Sequence, residues 1–303
     1  MSRPPRPTSA TARLPPPDRK RNTPAVQTLH LLEVTPHEVV ALKPAGLASE
    51  LPRDPAADSL VHRLAAQGFS GLRLVHRLDA PSCGLMLVAR SAEAAAHYAQ
   101  EIAARRWHKW YIAQVALPCP KAEQLVGAHK SYLRVDGPSA RVVRAGGKPS
   151  FLDVTLATPV PDVPGDSHLL VQLHTGRLHQ IRVMLAHRGA PLSGDVRYGG
   201  PSGRTIYLEH VILAARMFAS LDWRVWLAPT HPDRVRWAPA MSDAVDARVR
   251  ALSTSLAPHG LNSQTSRREQ DGGHTAGLAD VDRPRRERLP RGLKAECLRD
   301  EPR

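Results

Sequence analysis

Asp79 is the only acid in a ten-residue run, H-R-L-D-A-P-S-C-G-L (His76–Leu85), and Arg77 stands two positions before it. A second run, T-G-R-L-H-Q-I-R (Thr175–Arg182), carries two arginines around a His-Gln pair and no acid. G-D-V-R-Y-G (Gly194–Gly199) follows closely. A carboxylate serves as nucleophile or as general base. A guanidinium is its natural partner, because its planar fork matches both oxygens of an acid. A lone acid among cations suggests chemistry on a polyanion, a setting in which a carboxylate is otherwise out of place.

Taken one at a time, these residues leave other readings open. Asp79, two positions before Pro81, also suits an Asx-turn. His174, His179 and His187 invite a metal site, but H-x4-H and H-x7-H are poor zinc spacings and no cysteine lies near in sequence. Ser82 or Cys83 with His76 could form a nucleophile pair, yet no G-x-S-x-G elbow surrounds Ser82.

In order and wording the runs resemble the pseudouridine synthases of the RluA type. That family reads His-Arg-Leu-Asp, two variable positions, then Thr-Ser-Gly-Leu. Later come Thr-Gly-Arg-x-His-Gln-Ile-Arg and Gly-Asp-x-x-Tyr-Gly. This chain keeps His76 to Asp79, Gly84, Leu85, Thr175 to Arg177, His179 to Arg182, Gly194, Asp195, Tyr198 and Gly199. K-P-A-G (Lys43–Gly46) and K-W-Y-I-A (Lys109–Ala113) fall in the family's order too. The likeness runs from about residue 36 to about residue 230.

The resemblance implies a cofactor-free, metal-free isomerase of structured RNA, with ribosomal RNA ahead of tRNA as substrate. It makes Asp79 the catalytic carboxylate, Arg182 its ion-pair partner and Tyr111 the ring that packs on the target base. An unperturbed phenol, with a pKa of about 10, is a poor base at neutral pH, so stacking is the expected role of Tyr111. Arg77 and His76 are expected RNA contacts, Arg77 entering the RNA stack where the uridine leaves and His76 also shaping its loop. Lys43, Lys109 and Arg177 are expected phosphate or sugar contacts. The rival from another class is an inactive RNA-binding module of the same fold. Departures occur: Ser82-Cys83 stands for Thr-Ser, and Leu213-Ala214-Ala215 for the family's Leu-His-Ala. They leave the reaction standing and bear on the substrate.

The elements that must position these groups follow from pattern. The runs T-L-H-L-L-E-V and E-V-V-A-L-K-P read as two strands, the second ending at Lys43–Pro44. Asp58 reads as the N-cap of a helix over Ser59–Gln67. Leu72–Val75 is a short strand that delivers His76–Asp79 to a loop, which Pro81 and Gly84 keep from turning helical. An apolar strand opens at Leu85, and Ser91 caps an Ala-rich helix ending near Arg105. Further strands are expected at Trp107–Leu117, Arg141–Arg144, Phe151–Thr158, His168–Leu173, Val211–Phe218 and Trp223–Leu227. Helices are expected over Leu178–Arg188 and about Ser242–Leu252. Strands outnumber helices and come in runs. That predicts an α+β fold with a mixed, mostly antiparallel central sheet flanked by helices, and the resemblance implies the same pseudouridine synthase-like catalytic domain.

Composition agrees. The 303 residues suit one large domain, and aromatics make up 4%, so the core must be aliphatic. Formal net charge is +14. Residues 1–25 carry six Lys/Arg against Asp18, and residues 261–303 ten against eight acids, which leaves +7 on residues 26–260. A basic body suits a phosphate-rich partner. Residues 1–25 read as a disordered basic Pro-rich tail, 26–257 as the catalytic domain and 258–303 as a disordered charged tail. Three cysteines without a C-x-x-C point to a reducing, cytoplasmic setting. No apolar run reaches the length of a membrane span. A monomer is the default expectation.

Overall fold

The computed structural model describes residues 28–51 and 57–257; the tails expected at 1–25 and 258–303 lie outside the described residues. In chain order the strands are β1 (His30–Val34), β2 (Glu38–Lys43), β3 (Arg73–Leu74), β4 (Cys83–Ala89), β5 (His108–Val115), β6 (Gly127–Asp136), β7 (Ser139–Val143), β8 (Lys148–Pro159), β9 (Ser167–Leu173), β10 (Leu208–Arg216) and β11 (Trp223–Leu227). The helices are α1 (Leu60–Ala66), α2 (Ala92–Ala103), α3 (Cys119–Ala122), α4 (Gln180–His187) and α5 (Pro239–Ser255). The strands form one sheet in the order β1-β2-β4-β10-β5-β9-β8-β6-β7, with β11 on β10 and β3 on β4. Only β4–β10 pairs in parallel; every other pairing is antiparallel.

Alternation along the strands divides the core. Tyr111, Ala113 and Val115 of β5 join Leu60 and Leu64 of α1 and Met184 and Leu185 of α4 on one face. Trp110 and Ile112 point the other way, to Met241, Val245 and Leu252 of α5. Farther along, Leu85 and Leu87 of β4 form a separate cluster with Ala94 and Tyr98 of α2. Helices on both faces explain why β4 reads as an unbroken apolar run.

The sequence and the structure part at several ends. Ser59, not Asp58, caps α1, its Oγ accepting from the His62 N–H at 3.1 Å. Asp58 lies one residue too early and instead holds Arg63 through two bonds of 2.7 and 2.6 Å. α4 begins two residues late because Gln180 is drawn into a turn, and His179 before it is left-handed, at φ 51°. α5 is longer than expected and starts on Pro239, whose missing N–H is no loss in a first turn. β6 was not legible. G-A-H-K-S-Y-L-R-V-D buries only Ser131 and Leu133, and it becomes a strand because β7 and β8 hydrogen-bond to it on both sides.

Two buried histidines are expected to make the fold acid-sensitive. Burial first of all lowers His168 to about 4 and His210 to about 3. Unfolded imidazoles take up a proton near 6.5, so the unfolded chain binds more protons below that pH and stability falls with acid. The melting temperature is expected to drop as pH goes from 6.5 toward 4. His168, with neither ring nitrogen hydrogen-bonded, should carry part of that slope. Thermal melts of the wild type and of His168→Gln across this range check it; equal slopes would remove His168 from the account.

Candidate active site

Asp79 sits on a loop that the structure holds from behind. Lys43, at the end of β2, donates to the carbonyls of Pro44 (2.9 Å), Leu47 (2.6 Å) and Ala80 (3.2 Å). Ser49 brackets Leu78, donating to its carbonyl at 2.8 Å and accepting from its N–H at 3.1 Å. Gly46 donates to the Ala80 carbonyl, and the Ser82 N–H to the Asp79 carbonyl. Gly84 closes the loop at φ 109°, where a Cβ would run into the His210 backbone of the parallel strand β10. Only glycine combines that angle with that approach.

The loop places Asp79 on a cleft of ≈ 700 Å³ lined also by Tyr111, Arg177 and Arg182. Arg182 projects from the first turn of α4, and its Nη1 donates to Asp79 Oδ2 at 3.1 Å. The sequence suggested a two-bond fork on Asp79. The fork goes elsewhere: Arg182 Nε and Nη2 donate to the two oxygens of Asp195 at 2.7 and 2.8 Å. Asp195 is buried, so its charge needs the full fork, and the third nitrogen is left for Asp79. Arg182 also lies over the ring of Tyr198, 5.2 Å from its centre. The Tyr198 hydroxyl meets His179 Nδ1 at 2.8 Å, and His179 Nε2 lies 3.8 Å from Asp79 Oδ2. Burial, outweighing the pull of the Asp79 charge, lowers the pKa of His179.

The T-G-R-L-H-Q run closes on itself. Gln180 Oε1 accepts from Thr175 Oγ1 and the Arg177 N–H, and Gln180 Nε2 donates to the Phe151 carbonyl. The Phe151 N–H donates to Thr175 Oγ1. This network leaves the Arg177 side chain exposed at the mouth of the cleft. Behind Asp195, buried Asp166 accepts from Gln114, Ser193 and Arg204, which fastens the 193–204 segment to the sheet.

Tyr111 lies in the cleft floor with one face against His210, ring centres 4.5 Å apart and planes 11° from parallel. The two residues are directly opposed across β5 and β10, which accounts for the stack. Burial, and then the charge of Asp79, push the phenol further above its ordinary value. That disfavours a phenolate and leaves the ring as the useful part of the side chain.

The remaining expected RNA contacts divide. Arg77 and Arg177 are exposed on the rim. Lys43 is wholly buried on its three carbonyls, so no phosphate reaches it; its role is to hold the Asp79 loop. His76 is likewise turned inward. Its Nε2 accepts from the Leu87 N–H at 3.0 Å, and its ring meets Trp107 edge-on, so it braces β4. Lys109 lines the floor but is only 6% exposed. Asp195, Tyr198 and His210 were not among the expected site residues, while His179 holds the loop around the site through Tyr198. The G-D-V-R-Y-G run was the available signal for the first two; His210 had none. Five cations and two acids, Asp79 and Glu50, line the cleft. Among the described residues no group of three His, Cys, Asp or Glu side chains is placed to hold a metal ion. No described helix is long and apolar enough to cross a membrane.

The cleft thus holds an acid backed by a buried Arg–Asp pair, beside a stacked ring and among cations, on a mixed sheet. Residues 37–187 match the RNA pseudouridylate synthase family. The chain belongs to the RluA-type branch of that family. It is 33% identical over 211 residues to an uncharacterized RNA pseudouridine synthase of Chloroflexus aurantiacus, covering 64% of this chain and 59% of that one. It is 34% identical to ribosomal large subunit pseudouridine synthase D of Xanthomonas campestris (58% and 55%). With the dual-specificity RNA pseudouridine synthase RluA of Escherichia coli it shares 29% (70% and 91%). The chain thus spans little more than half the length of the first two relatives. The fold matches human RNA pseudouridylate synthase domain containing 1 with a TM-score of 0.59 at 21% identity, covering 75% of this chain and 96% of that one.

Proposed function

We propose that this chain is a cofactor-free RNA pseudouridine synthase that isomerises one or a few uridines of structured RNA, ribosomal RNA before tRNA. The observation that carries the reading is the Asp79–Arg182 contact at the edge of a cationic cleft, with the ring of Tyr111 on its floor. In the reaction the N1–C1′ bond breaks and its electron pair leaves with the base. The ring turns, C5 bonds to C1′, the C5 proton departs and N1 gains one. Asp79 supplies the carboxylate, whether for attack at C1′, attack on the ring or removal of a sugar proton. Arg182 supplies its countercharge, and Asp195 fixes the direction of Arg182. Tyr111 offers its free face to the extruded base, with His210 as backing. Extrusion costs about a few kcal/mol, which rim contacts from Arg77 and Arg177 to the RNA offset.

The preference for ribosomal RNA leans on the name of the Xanthomonas relative; the name of the E. coli relative specifies RNA and dual specificity. The protein is read as acting alone, as a monomer in the cytoplasm. The test is tritium release. Ribosomal RNA and tRNA transcripts labelled at uridine C5 are incubated with the full chain, and release of about one tritium per modified site is expected. Binding without release from any transcript supports the inactive RNA-binding module instead.

A further inference from the structure

Two lysines in this fold are almost equally hidden, and they differ in one respect. Lys43 has no exposure and three carbonyl acceptors. Lys109 is 6% exposed and makes no hydrogen bond or ion pair among the described residues. Its ammonium lies under the Thr175–Arg177 turn, where a methyl on Gly176 would sit 3.6 Å away. It precedes Tyr111 by two positions on β5, so both side chains leave the strand on the cleft side. The nearby imidazoles of His76 and His210 are held neutral by burial, with the charge of Lys109 adding to the effect. Neither can serve as its counterion. A buried cation without a partner is costly to a fold, so its retention points to a ligand.

The cleft sorts its cations by depth. Arg77, Arg105 and Arg177 are exposed at the mouth, where a phosphodiester still joined to its neighbours must stay. The base travels deepest, onto Tyr111. We propose that Lys109 contacts the uracil ring and not the phosphates: its ammonium donates to a ring carbonyl oxygen and balances the negative charge the base takes on when N1–C1′ breaks. This rests on the pseudouridine synthase reading. The electron pair of the broken bond spreads over N1 and the two carbonyl oxygens; Lys109 keeps its own proton and acts through charge. Burial lowers Lys109 to about 8, so it is still a cation at neutral pH. Preorganised charge at a developing anion is the kind of contact that raises turnover more than binding.

The test uses the full chain with C5-tritiated ribosomal RNA and tRNA transcripts, and the variants Lys109→Met and Lys109→Gln. At saturating RNA the single-turnover rate is expected to fall on the order of 100-fold in both. RNA affinity should stay within about threefold, and the melting temperature should hold or rise, because a strained charge has gone. A rate near wild type overturns the proposal. So does weakened RNA binding with an unchanged rate at saturation, which makes Lys109 a phosphate contact. A melting temperature lowered in both variants overturns it too, since it makes Lys109 part of the scaffold. A wild-type chain that releases no tritium ends the parent reading, and this one with it; a wild type that turns over leaves the variants to judge Lys109 alone.

Discussion

Asp79→Asn should silence tritium release, with a fall on the order of 10⁴-fold, and leave a folded protein that still binds RNA. The amide has the shape of the carboxylate without its charge or its basicity, so every route that uses Asp79 fails. The fold has little reason to respond. The loop hangs on Lys43 and Ser49 through Ala80 and Leu78, not on the Asp79 side chain. Arg182 keeps both bonds to Asp195. Asp195 still balances the Arg182 charge, so no buried cation is stranded. The melting temperature should stay within about 3 °C of wild type. RNA affinity should persist, because the rim arginines are untouched. Melting curves, filter binding and tritium release on one preparation check all three.

Arg182→Met should damage stability and rate together, with the larger loss of stability of the two variants. The guanidinium is 5% exposed and serves two acids at once. Its removal leaves Asp195, 1% exposed, with no cation. Breaking a buried pair from one side costs about 3–5 kcal/mol, or on the order of 10 °C in melting temperature here. Catalysis should fall with it, because Asp79 loses its countercharge. A second change separates the two effects. In Arg182→Met with Asp195→Leu the stranded acid is gone, and stability should recover while the rate does not. Recovery of rate in the double variant would mean that Arg182 acts only by holding the fold together.

Much of this site could be read from the chain. Asp79, Tyr111 and Arg182 stand in short runs whose order resembles a known family's, and all three line one cleft. β4 and β5 were legible because both their faces are buried. α2 was legible because Ser91 caps it in the sequence, as its bond to the Ala94 N–H does in the structure. What escaped was what depends on pairs distant in sequence. Nothing local to His210 says that Tyr111 will lie on it, since β5 and β10 meet only in the sheet. Asp195 was visible as a residue but not as the owner of the Arg182 fork. Lys43 looked like a free cation because a sequence does not show three carbonyls folding back on it. β6 was invisible for a related reason: its neighbours make it a strand, while its own residues carry no period.

The most direct measurement is a nucleoside count on RNA recovered from the reaction. Ribosomal RNA and tRNA transcripts are treated with wild type or with Asp79→Asn, digested to nucleosides and resolved by chromatography with mass detection. Wild type should convert uridine to pseudouridine one for one, at a whole number of sites per transcript, and the variant none. Pseudouridine formed equally by the variant, or RNA bound by wild type with every uridine intact, would contradict the account.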